Sequence, residues 1–256
     1  MKRRFKSWAS VFVLVWLVAA PPVFAGDPVS QSAQKALDCG VAEDTVARIL
    51  AAVLNGRLPG EDGARLLDLL VGACKDGLPA APLAEKVDEG LSKAVPGDIL
   101  RQALERRTSA LSTARQMVSG KGRDVPPPLD LMMAVVEGLE AGLPEKALAE
   151  FVRRHRCVPA EKLATALRIR AYLGRVGMPD TESLRVAETG LALNALTPRW
   201  LQFPRLAGLA LKKGRSARAI SDSALAALQD GKDPQDAAVR LGLTTRSLEV
   251  PPSPGR

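Results

Sequence analysis

Gly77-Leu78-Pro79 is the stretch that decides the fold. It returns unchanged as Gly142-Leu143-Pro144 and with one conservative change as Gly177-Met178-Pro179. Looser copies end at Leu58-Pro59, Val95-Pro96, Val158-Pro159 and Thr197-Pro198, and each copy precedes a run rich in Ala and Leu. Glycine enters the left-handed conformation that ends a helix at little cost. The residue before proline is pushed to extended geometry, which suits a position just outside a helix. Proline then has φ preset for the first helical position, where its missing N–H costs nothing. One helix therefore stops, the chain reverses, and the next helix begins. The apolar middle residue is free to fold back onto a neighbouring helix.

The prolines recur at intervals that fit such helices. From Pro59 to Pro79 is 20 residues, from Pro79 to Pro96 17, from Pro144 to Pro159 15, from Pro159 to Pro179 20, and from Pro179 to Pro198 19. At roughly 1.5 Å per residue, helices of this size are about 20 Å long. Two consecutive units make an antiparallel hairpin of about 35 to 40 residues, the size of a helical-repeat unit. The expected class is all-α, with short antiparallel helices stacked as hairpins and no β-sheet. The uneven intervals fit either a solenoid-like array or an irregular helical bundle. The arrangement resembles helical-repeat modules in architecture, which carries no function by itself.

Working outward, residues 1–25 read as a signal peptide. Lys2, Arg3, Arg4 and Lys6 precede an apolar stretch from Trp8 to Ala20, which Pro21-Pro22 breaks. Val23-Phe24-Ala25 supplies tolerated residues at −3 and −1, so cleavage is expected between Ala25 and Gly26. The apolar run is short for a membrane span. The mature chain, Gly26 onward, is then expected in the periplasm or outside the cell, with no transmembrane segment remaining.

Residues 26–118 read as a first helical lobe: a polar start over 27–38, then helices over 42–54, 62–75, 80–93 and 98–118. Residues 119–128, Ser-Gly-Lys-Gly-Arg-Asp-Val-Pro-Pro-Pro, read as a linker that no helix traverses. They lack the spacing of a phosphate-binding loop. Residues 129–243 form a second lobe, with helices over 129–141, 145–156, 160–176, 180–194, 217–228 and 234–241. Between them, Thr197 to Pro204 suggests one helical turn and a fresh start at Pro204. Residues 244–256 read as a disordered Pro-rich tail.

Charge is uneven. Residues 26–142 carry 13 basic and 17 acidic residues, and residues 143–256 carry 19 and 11. In the basic half, Arg153, Arg154 and Arg156 close one helix, and Arg168, Arg170 and Arg175 lie along the next. Lys212, Lys213, Arg215 and Arg218 surround a later turn. Stacking in register would place the end of the 145–156 helix and the 212–218 turn on one positive face for a polyanion or partner. Trp200 and Phe203, scarce aromatics, read either as packing between helices or as a partner hot spot.

Catalytic patterns are sparse. His155 is the one histidine, and Cys157, two residues on, does not share its helix face. No spacing of His, Cys and carboxylates suggests a metal site, and there is no G-x-S-x-G or dinucleotide fingerprint. The three cysteines, Cys39, Cys74 and Cys157, leave at least one unpaired, and Cys39 with Cys74 is the candidate disulfide. The sequence therefore reads as a non-enzymatic exported protein of a bacterial cell envelope, acting through an envelope protein partner as a scaffold or adaptor. The alternative is an anionic glycan or lipid surface bound through the basic half, and a less favoured one is an enzyme with an unrecognised site. No cofactor and no nucleic acid is expected.

Overall fold

The computed structural model describes residues 28–119 and 127–243. The expected signal peptide, most of the linker and the tail beyond 243 lie outside the described residues. Those described form twelve α-helices and no strand. The first five are α1 (Pro28–Asp38), α2 (Glu43–Leu54), α3 (Gly60–Lys75), α4 (Ala81–Ser92) and α5 (Gly97–Val118). Then come α6 (Leu129–Glu140), α7 (Glu145–Arg154), α8 (Ala160–Arg175) and α9 (Asp180–Ala192). A 3-10 turn (Pro198–Gln202) leads directly into α10 (Phe203–Lys212), followed by α11 (Ala217–Gln229) and α12 (Pro234–Arg240).

The glycine turns end helices as the sequence implies. Gly77, Gly142 and Gly177 have φ of 68°, 84° and 94°. Each glycine N–H bonds the carbonyl three residues back, and the next N–H bonds the carbonyl five back, as in Leu78 to Ala73 at 2.9 Å and Leu143 to Gly138 at 3.0 Å. This paired capping satisfies carbonyls that the helix end leaves open. Leu78, Leu143 and Met178 fold back and are buried. Ala94 and Asn194 take the same left-handed conformation without being glycine, at φ of 51° and 52°.

Five turn prolines sit one position earlier than expected, Pro79 lies just before the N-cap Ala80, and Pro198 and Pro234 take the first helical position as expected. Pro59, Pro96, Pro144, Pro159 and Pro179 are N-cap residues, with φ between −52° and −60° and ψ between 132° and 146°. Their carbonyls accept the first helical hydrogen bonds, from Gly63, Leu100, Leu148, Leu163 and Ser183. The extended ψ is the one an N-cap wears, and the proline φ suits it as well as it suits the first helical position.

A second regularity accompanies each turn. The residue whose carbonyl takes the five-back bond is small in nearly every copy: Ala36, Ala52, Ala73, Gly90, Gly138, Gly190, Ala210, Ala227 and Ala238. An added Cβ at Gly90 would stand 2.4 Å from Cδ1 of Leu100, and one at Gly190 2.5 Å from Cδ2 of Leu196. The missing side chain lets an apolar residue from beyond the turn lie against the helix it has just left.

Most helices pack on their successors, α7 and α9 excepted, and many on helices two further on: α1 on α3, α2 on α4, α3 on α5, α6 on α8, α8 on α10, α9 on α11 and α10 on α12. Polar ties recur with this stagger. Ser32 donates to Asp68 at 2.8 Å across 36 residues, Arg154 to Glu188 at 2.5 Å across 34, Arg185 to Ser221 at 3.2 Å across 36, and Arg199 to Asp233 at 2.9 Å across 34. The hairpin length inferred from the prolines is thus the interval at which units are joined. The stack has two irregularities. The 22-residue α5 packs against α3 and α4 as well as α6 and α7, and the 3-10 turn inserts before α10. One apolar cluster runs from Val29 to Leu243.

Candidate functional site

The expected positive face does not form. Arg154, at the end of α7, pairs with Glu150 and with Glu188 in the later part of α9. Arg218, at the start of α11, pairs with Asp222 and with Glu182 in the first turn of α9. The two basic groups therefore meet α9 about 9 Å apart along its axis, near opposite ends. Two turns lie at the same end of a stack when an even number of helices separates them; 155–159 and 212–216 are separated by three, α8, α9 and α10. Arg153, Arg156, Lys212, Lys213 and Arg215 are exposed at those two ends.

Arginines along α8 hold the stack together instead. Arg170 is 2% exposed and donates from Nε and Nη2 to the two carboxylate oxygens of Asp180, both at 2.8 Å. Its guanidinium also lies 5.7 Å from the centre of the Phe151 ring. One side chain so joins α7, α8 and the first residue of α9. Arg168 reaches back to α6, pairing with Asp130 at 2.7 Å and Glu137 at 3.2 Å. Tyr172 donates its hydroxyl to the same Glu137, and Arg175 lies over the tyrosine ring. Burial first, then the hydrogen bond to Glu137 and its negative charge, push the Tyr172 phenol up to about 12.

Trp200 and Phe203 are core residues, not a partner hot spot. They are 1% and 0% exposed, with ring centroids 5.5 Å apart, and they fill the space the 3-10 turn opens beside α8. Cys39, just after α1, and Cys74, near the end of α3, form a disulfide with Cα atoms 6.2 Å apart. Cys157 is a free, exposed thiol. The His155 ring packs on Phe151 at 4.7 Å, apart from any nucleophile pairing with that thiol. Among the described residues no group of three or more His, Cys, Asp or Glu is placed to hold a metal ion, and no helix is long and apolar enough to cross a membrane.

The most distinctive concavity lies where α5 gives way to α6. A cleft of about 720 Å³ opens between the end of α5, the start of α6, the end of α7 and the start of α8. Its floor is Met117, Leu131, Val152 and Leu163, and its rim carries Arg153, Arg156 and Cys157. Among the described residues no carboxylate lines it. A second concavity of about 600 Å³, between α4, α5, α6 and α7, mixes Lys86, Arg106 and Arg107 with Glu140 and Glu145. There the Arg107–Glu140 pair uses the charges internally. The sequence marked Arg153, Arg156 and Cys157, but the opposite wall comes from α5 and α6 across the loop, which no local pattern encodes. No family model, curated protein or solved structure matches this chain.

Proposed function

We propose that the protein is an exported, non-enzymatic component of a bacterial cell envelope that acts through protein–protein contacts, as a scaffold or adaptor. The observation that supports this reading is the cross-tied stack. Hairpins are joined to the next by buried apolar residues and by polar ties such as Ser32–Asp68 and Arg154–Glu188. Stacks of this kind fix the outer helices as a continuous surface for a partner. The Cys39–Cys74 pair suits an oxidising compartment. The alternative, an anionic polymer or lipid surface held by one positive face, loses the geometry it relied on. The test is capture from an envelope fraction on the mature chain, at low and at high salt, followed by reciprocal capture with the purified candidate. A partner retained at high salt, and binding again when purified, is the expected result, since contacts between apolar surfaces survive screening. Complete release of every bound species by salt would contradict the reading.

A further inference from the structure

We propose that the cleft between α5, α6, α7 and α8 binds a single-chain amphiphile, an alkyl tail carrying one anionic head. This does not rest on the protein-contact reading.

The cleft volume, about 720 Å³, falls in the range of small-molecule sites. Its chemistry is divided by position. The apolar floor includes Leu131, Val152 and Leu163, all buried, contributed by three different helices. A tail lying there loses water contact without displacing any ion pair. The rim carries Arg153 and Arg156, and among the described residues no lining residue is acidic. Their neighbour Arg154 is held by two carboxylates, whereas neither Arg153 nor Arg156 has an ion pair or hydrogen bond among the described residues. Two cations facing an apolar floor with no acid among them match a ligand that is apolar along its length and negative at one end. A small inorganic anion would leave the floor unused, and a neutral lipid would leave the guanidinium groups unused.

Cys157 is a built-in reporter, because it lines the cleft and is the free thiol beside a disulfide-bonded pair. The mature chain is treated with N-ethylmaleimide, a neutral reagent, and alkylation of Cys157 is followed by mass spectrometry. The probe is decanoate as monomer, below its micelle concentration, with decanol as the uncharged control. A parallel arm uses phosphatidylglycerol vesicles to distinguish a free amphiphile from a membrane surface. Decanoate is expected to slow alkylation several-fold and decanol much less. The Arg153→Gln, Arg156→Gln double variant is expected to need about three- to tenfold more decanoate for the same protection. Both side chains are exposed, so the variant should keep the wild-type melting temperature, and the wild-type protection stands as evidence without it. An alkylation rate unchanged by decanoate would overturn the proposal. Equal protection by decanol, or protection by vesicles alone, would also overturn it, the first in favour of a purely apolar groove and the second in favour of surface adsorption.

Discussion

At the scale of single residues, the turns and one buried tyrosine carry the sharpest consequences. Gly142 has φ of 84° and open space where a Cβ would stand, so conformation alone decides what a side chain costs there. Gly142→Val is expected to lower stability by about 1 kcal/mol or more. Gly174 also has open space but lies within α8. Gly174→Ala is expected to be neutral or to stabilise by about 0.5–1 kcal/mol. Paired denaturation curves check both, and equal responses would show that the left-handed turn is not what constrains Gly142. Tyr172 is the chain's one tyrosine, so absorbance of the phenolate reports it alone. Its midpoint should stand near 12, and Glu137→Gln should lower it. The fold favours the protonated phenol. Its contribution is therefore whole below the ordinary value of 10 and is lost as pH rises toward 12. A titration midpoint at the ordinary value would remove the contact with Glu137 from solution.

At the scale of elements, Arg170 shows how charge and packing are combined. Removing its side chain leaves a hole between α7 and α9 and deprives Asp180 of both hydrogen bonds. Asp180 is about half exposed and can rehydrate, so Arg170→Ala should cost about 2–4 kcal/mol, somewhat below the roughly 3–5 kcal/mol of a fully buried pair broken on one side. Chemical denaturation measures it, and a loss below about 0.5 kcal/mol, the size of an ordinary surface change, would show that the contact is dispensable. The helices themselves were legible from sequence because turn chemistry is local: glycine, an apolar residue and proline say where one helix ends and the next starts. Boundaries fall within two residues of those expected. The small residue before each turn escaped notice. Ala and Gly inside a helix look unremarkable until Leu100 is seen lying against Gly90. The basic half was misread for a related reason. Arg168 and Arg170 look like surface charge in a list of residues, and their acidic partners Asp130 and Asp180 sit on other helices.

At the scale of the whole molecule, side-chain ties join helices two apart across 31 residues in Arg168–Glu137, 36 in Ser32–Asp68 and 43 in Thr45–Asp88, and the Cys39–Cys74 disulfide, 35 residues apart, is the covalent member of that series. The hairpin length could be read from proline spacing, whereas the end of the stack to which each turn belongs required counting reversals through the fold. The cleft at the α5–α6 junction was not legible either, since its walls come from four helices. Export, the disulfide and the envelope role stand or fall together, because a structural disulfide persists in an oxidising compartment and is rare in the cytosol. The most direct test is the intact mass of the protein isolated from its native cells without reduction, after alkylation of accessible thiols in denaturant. The account predicts a chain beginning at Gly26, lighter than its reduced form by one disulfide, with one alkyl group on Cys157. A full-length chain beginning at Met1 and alkylated at Cys39, Cys74 and Cys157 would contradict it.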